Sequence, residues 1–292
     1  MRIFGLELDN NLKGVDQRMR YIESLIARLD RPDLVVLPEL ALSSYMANQS
    51  IWAYADENSQ ITSDWAKKMA KKYNTFIAVG YVEQSQGDYY NSYLIADQTT
   101  VYGIVRKSEA ESYVFKRGRF ENIIMTPFGE VAVAICYDAR RIHFYQNIKD
   151  RNISLILFPH GSPADPQKIE VERQINDALC NRYVQAFGVP VMYVNSVGRM
   201  DYMPGTTGQL MVKSGFRLNG LSQIYSRQGN PLSTDIPEAT GIEVDLEAKQ
   251  ITGELKFYGE NITRGNFLFR KIIMPLDIRA GIRSYEKEKH SE

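Results

Sequence analysis

Gly129-Glu130-Val131-Ala132-Val133-Ala134-Ile135-Cys136-Tyr137-Asp138-Ala139-Arg140 is the stretch that decides the fold. Its apolar run is entered from the turn Pro127-Phe128-Gly129-Glu130 and has the length and composition of a fully buried strand. The polar and charged residues after it predict a turn into a helix. Cys136 then stands at the C-terminal edge of a sheet, the edge at which open α/β sheets bind ligands. Backbone N–H groups at the helix start beside it are expected to favour the thiolate, the reactive form. Taken alone, a cysteine in this place is an ordinary small buried hydrophobe.

Working outward, short apolar strands alternate with amphipathic helices. Val15, Met19, Ile22, Ile26 and Leu29 recur at helical spacing and predict a helix over residues 14–30. Strands are expected at 1–9, 33–38, 76–82, 90–96, 101–105, 153–158 and 189–195, with helices near 63–73, 141–150 and 166–187. The remainder, through Gln223-Ile224-Tyr225 and Gly241-Ile242-Glu243-Val244-Asp245, reads as short strands and turns. This alternation implies an α/β fold with strands covered by helices. No repeat, low-complexity tract or Gly/Ser linker divides the chain, so a single domain over residues 1–256 is expected. The tail, 257–292, carries Phe257-Tyr258, Phe267-Leu268-Phe269 and Ile272-Ile273-Met274 and is too apolar for a solvated end, which points to burial at a subunit interface. Residues 108–122 and 198–220 lack regular patterning, and long loops of this kind are candidate walls of a functional site.

Composition excludes several classes. Thirty-five basic and thirty-five acidic residues cancel, leaving no electrostatic case for nucleic acid or an anionic membrane surface. No apolar run reaches the ~18 residues of a bilayer span. The first residues meet Glu7 before a signal-like stretch develops, so the cytoplasm is the expected compartment. Two cysteines, Cys136 and Cys180, have no metal-ligand spacing, and with three histidines (His143, His160, His290) neither a metal nor another cofactor is expected.

Two further features share the setting of Cys136. Glu39 follows the buried run Val35-Val36-Leu37-Pro38, where partial desolvation raises a carboxyl pKa towards the range useful for proton transfer. Lys107 ends the strand Tyr102-Gly103-Ile104-Val105-Arg106. Singly, one is an ordinary loop acid and the other a surface charge. Together, at the same edge, they supply what a thiol nucleophile needs: a base, and a positive charge for the oxyanion of an attacked carbonyl.

In order and context these segments resemble the nitrilase (carbon–nitrogen hydrolase) superfamily, whose catalytic residues are Glu, Lys and Cys. The matching stretches are Leu37-Pro38-Glu39-Leu40 with Tyr45 six residues beyond Glu39, Arg106-Lys107, and the Cys136 segment. Between them Glu111, Phe115 and Gly118 follow the family's E-x-x-x-F-x-x-G pattern and place its accessory glutamate at Glu111. Weaker landmarks follow at Val194-Asn195-Ser196-Val197-Gly198 and from Phe216 to Gly229. The resemblance implies a four-layer α-β-β-α sandwich, commonly assembled as homodimers or higher homo-oligomers. It further implies hydrolysis of non-peptide C–N bonds in small molecules through a thioester, with Glu39 as base, Lys107 and the Tyr137 N–H at the oxyanion, Cys136 as nucleophile and Glu111 assisting. Cys-Tyr-Asp is closer to the amidase and carbamoylase branches than to true nitrilases. The alternatives are a nitrilase acting on a nitrile and an inactive binding or scaffold member.

Where the family usually carries Phe-Pro-Glu after the arginine, this chain has Arg141-Ile142-His143, and Pro159-His160-Gly161-Ser162-Pro163 departs from the common pattern as well. Candidate substrate contacts are Tyr45, Tyr137, Arg140 and His160. Arg140 or Arg141 would pair a substrate carboxylate; otherwise each is a helix-start arginine tied to a neighbouring acid.

Overall fold

Alternate residues of the central strands face different layers. The structure, a computed structural model, describes residues 1–246, 253–265 and 267–289; Asn266 and the last three residues of the expected tail lie outside these, as do residues 247–252. One sheet runs Asn230–Leu232, Ala239–Glu243, Arg2–Leu6, Leu34–Val36, Phe76–Ser85, Asp88–Ala96 and Val101–Arg106, with Asp56–Glu57 beside Phe76–Ser85. A second runs Gln223–Tyr225, Val191–Val194, Ile153–Pro159, Gly129–Val133 and Ile123–Thr126. In the first sheet Leu34, Val36 and Ala78 point into a core shared with Val131, Val133, Leu155 and Leu157 of the second. Their neighbours Val35, Leu37, Ile77 and Val79 point outward, under helices α1 (Val15–Ile26) and α2 (Gln60–Tyr73). In the second sheet Ala132, Ala134, Ile156 and Phe158 likewise face α3 (Ile142–Ile148) and α4 (Ile169–Phe187). The period-2 alternation thus builds four layers, α-β-β-α, around two sheets buried on both faces.

The strand at Leu34–Val36 is parallel to both of its neighbours, and so is Ile153–Pro159. This gathers their C-terminal ends, and the loops that follow, at one edge of the sandwich. The expected elements are present within a few residues. The stretch 198–220, expected to be a loop, instead holds helix α5 (Gly205–Lys213), and the tail holds helix α6 (Met274–Glu288), preceded by a π-turn at Phe269–Ile273.

Helix α6 packs on its own chain. The Asp277 carboxylate accepts the Thr206 and Thr207 N–H groups, capping α5, and a hydrogen bond from the Tyr113 hydroxyl. Gly281 lets the helix approach closely: a Cβ there would fall 2.2 Å from the Ser112 Oγ. The Tyr285 ring meets Trp52 edge-on, and its hydroxyl reaches Asp88. Phe267, Leu268, Ile272 and Leu276 remain exposed on the outer side.

Candidate active site

Glu39, Lys107 and Cys136 each lie one to three residues past the last residue of a strand, and the folded chain brings them to one place. Glu39 is fully buried, with both carboxylate oxygens engaged. Its Oε1 accepts Asn91 Nδ2 at 2.7 Å and Lys107 Nζ at 2.6 Å; its Oε2 accepts the Gly161 N–H at 2.6 Å. Gly161 reaches this carboxylate by passing against the Tyr45 ring, where a Cβ would fall 2.2 Å from Cδ2. Lys107 Nζ also donates to Glu111 Oε1 at 2.5 Å, and the Tyr45 hydroxyl donates to the same oxygen at 3.0 Å. Glu111 Oε2 is buried and has no hydrogen-bond partner among the described residues.

Cys136 opens a 3-10 turn, Cys136–Arg140, with φ at +52°, the left-handed region that a non-glycine residue enters at a cost of about 1–3 kcal/mol. Such strain is retained where the surroundings over-determine it, and here it turns the residue out of the strand line into a cavity. That cavity, about 230 Å³, is lined by Cys136, Lys107, Glu111 and Tyr137, and runs on past Met203, Thr207, Phe269 and Ile278. Tyr137 is the second residue of the turn, where a short helix leaves its backbone N–H without an intrahelical acceptor.

Electrostatics set the resting protonation. Burial lifts the Glu39 carboxyl above its usual range, with Lys107 opposing. For Lys107 burial is the largest influence and works against the charge, but Glu111 and Glu39 together outweigh it and hold the ammonium well above its ordinary value. Burial, followed by the Glu39 carboxylate, pushes the Cys136 thiol up, with Lys107 opposing. This corrects the sequence expectation of a resting thiolate. The helix beside Cys136 is a single short turn, and its dipole is outweighed by burial next to an acid, so the thiol keeps its proton until a base takes it.

The loop carrying Lys107 and Glu111 is fastened from below by a residue that the sequence reading passed over. Asp138, fully buried, accepts the Ser108 N–H on Oδ2 at 2.9 Å and the Glu109 N–H on Oδ1 at 2.7 Å. Burial pushes its carboxyl up to about 7, the two N–H groups opposing. The adjacent Arg141 donates to Glu109 Oε1 at 2.8 Å and also to Glu260, so it ties the thiol turn to the loop and the tail. Asn91 and the Gly161 N–H were likewise unexpected; nothing in their local sequence marks them.

The four candidate substrate contacts separate. Tyr137 lines the cavity. Tyr45 is buried behind Glu111, the group it meets. His160 is buried, donates from Nδ1 to the Phe158 carbonyl at 2.9 Å and packs 4.3 Å from the Tyr193 ring; burial pushes it down to about 3, so it is neutral. Arg140 lies towards α4, where its charge acts on Cys136, Glu172, Cys180 and His160; among the described residues its side chain has no hydrogen-bond or ion-pair partner.

Comparison with known proteins places this arrangement. The carbon-nitrogen hydrolase family model matches residues 10–248. The fold superposes on a carbon-nitrogen hydrolase from Helicobacter pylori G27 with a TM-score of 0.68 at 19% identity, over 84% of this chain and 89% of that one. It superposes on an amidase of the nitrilase superfamily from Nesterenkonia AN1 with a TM-score of 0.65 at 16% identity, over 84% and 90%. A Saccharomyces cerevisiae member of branch 10 of the nitrilase superfamily gives a TM-score of 0.64 at 17% identity, over 85% and 90%. Comparison with curated protein sequences finds no significant match. At these identities the structural likeness speaks for the fold alone; with the family model spanning most of the sequence, the chain belongs to the carbon-nitrogen hydrolase family.

Proposed function

We propose that the protein is a cysteine-dependent amidase that hydrolyses a small primary amide through a thioester. The observation that carries this reading is the cavity lined by Cys136, Lys107 and Glu111, with Glu39 buried behind Lys107 and bonded to it. Glu39 takes the Cys136 proton and the sulfur attacks the carbonyl carbon. The oxyanion meets the Tyr137 N–H and Lys107, whose ammonium has three donors and commits two of them to Glu39 and Glu111. Each such donor is worth about 3 kcal/mol in comparable sites. Glu39 returns the proton to the departing nitrogen, ammonia leaves, and the same carboxylate activates the water that releases the acid.

Glu111 Oε2 has no hydrogen-bond partner among the described residues, so an amide NH₂ turned towards Glu111 finds an acceptor that a nitrile, which has no donor, cannot use. One structural relative, a cysteine-to-alanine mutant of the amidase from Nesterenkonia sp. AN1, has been crystallised in complex with butyramide. Arg140, without a hydrogen-bond or ion-pair partner among the described residues, favours a second reading, an N-carbamoyl amino acid whose carboxylate pairs with that guanidinium. The Glu39–Lys107–Glu111 hydrogen bonds beside Cys136 support an enzyme over an inactive scaffold. We further read the protein as a cytoplasmic homodimer or higher homo-oligomer: its two cysteines are free, and the outer face of the tail exposes Phe267, Leu268, Ile272 and Leu276. Among the described residues no helix is long and apolar enough to cross a membrane. Ammonia release from primary amides, N-carbamoyl amino acids and nitriles tests the reading; turnover confined to nitriles would refute it.

A further inference from the structure

The part of the cavity beyond the thiol is built by the tail. Met203, Phe269, Met274 and Ile278 form a far wall of hydrocarbon and thioether, held in position because Asp277 caps α5 and bonds Tyr113. At about 230 Å³ the space takes roughly eight to fifteen non-hydrogen atoms, allowing about 15–30 Å³ for each.

Two observations say what fills it, given the amidase reading on which this inference rests. The cations lining the cavity are Lys107 and Arg117, and both are committed: Lys107 to Glu39 and Glu111, Arg117 to Glu109 and the Ser108 carbonyl. Asp277 adds a negative charge, and the Thr207 hydroxyl adds none. An anionic group placed here would be desolvated without a counter-charge. The second observation is the closure around Glu39, which has no exposed surface and is enclosed by Asn91, Lys107 and Gly161. The nitrogen that receives its proton must face this enclosed carboxylate, so the bulk of the substrate extends the other way, along the tail.

We propose that the wall formed by Met203, Phe269, Met274 and Ile278 selects the acyl group, and that the preferred substrate is a primary amide bearing an uncharged apolar chain of roughly five to ten carbons. The C-terminal segment of the same chain is then a specificity element as well as a structural one.

The test compares kcat/KM for acetamide, butyramide, hexanamide and the monoamide of glutaric acid, in the full-length protein and in Ile278→Asn and Met203→Ala. Burial of each added methylene predicts a rise of up to about fourfold, and at least tenfold from acetamide to hexanamide. The glutaric monoamide should fall at least tenfold below hexanamide. Each variant should lower the hexanamide-to-acetamide ratio about fivefold or more. The two substitutions lie on different segments, and circular dichroism with a thermal melt beside the wild type identifies a misfolded variant. Amide turnover that is independent of chain length, a preference for the glutaric monoamide, or an unchanged ratio in a folded variant overturns the proposal. If the wild type hydrolyses no amide of any length, the amidase reading itself fails and this inference falls with it.

Discussion

Asp138→Asn should disable the site without unfolding the protein. The carboxylate places one oxygen on each of two successive backbone N–H groups, Ser108 at 2.9 Å and Glu109 at 2.7 Å, immediately after Lys107 and just before Glu111. An asparagine side chain has one oxygen, so one N–H keeps an acceptor and the other faces an NH₂ group. A protonated aspartic acid is a milder change, since both of its oxygens still accept. Losing a hydrogen bond to a charged group costs about 1.5–3 kcal/mol, and the Asp138 side chain that offers it is fully buried. A displacement of the loop by about 1 Å would cost a further factor of up to 10² in rate, because Lys107 must meet the oxyanion in register. We therefore expect kcat to fall by one to two decades, with Tm lower by about 5 °C. Ammonia release measured beside a thermal melt separates the two effects. A folded Asp138→Asn enzyme with kcat within threefold of wild type would refute the view that this carboxylate sets the Lys107–Glu111 geometry.

Other outcomes follow from the same site. The base must be deprotonated to act, and burial lifts Glu39, so the acid limb of kcat/KM should lie above 4.5, the ordinary carboxylate value. Because Lys107 is held well above its usual range, no alkaline loss should appear up to about pH 9; an alkaline limb near neutrality would contradict the Lys107 assignment, and an acid limb at or below 4.5 that of Glu39. Arg140→Gln should leave neutral amides within about threefold of wild type; if N-carbamoyl amino acids are the substrates, it should raise their KM by one to two decades, at about 1.4 kcal/mol per decade, and equal losses on both classes would mean that Arg140 supports the thiol turn instead. Sedimentation should find at least a dimer, and Leu276→Glu should dissociate it without touching the cavity-lining residues; a wild-type monomer would sink the oligomer proposal.

Those parts of the molecule governed by local pattern were legible in the sequence. The continuous apolar runs Val131–Ile135 and Leu34–Leu37 specified buried strands, and Cys136, Glu39 and Lys107 could be placed because each follows a strand-like run. Helix α5 was not legible: Gly205, Thr206, Thr207 and Gly208 are poor helix formers, and the cap that holds them, Asp277, comes from some seventy residues away. Helix α6 did carry a signal that was passed over, a proline in its first turn and apolar residues at Met274, Ile278, Ile282 and Tyr285. The thiol's protonation depends on the burial of Glu39 beside it, a tertiary fact that no local motif contains.

The central claim is that Cys136 carries the acyl group during hydrolysis of a C–N bond. It is tested most directly by ammonia release from hexanamide and other primary amides, measured in parallel for the wild type and Cys136→Ala with folding checked by circular dichroism. The account predicts turnover by the wild type and a signal indistinguishable from the enzyme-free background for the folded Cys136→Ala protein. Retention of even a tenth of wild-type turnover by that variant would contradict it.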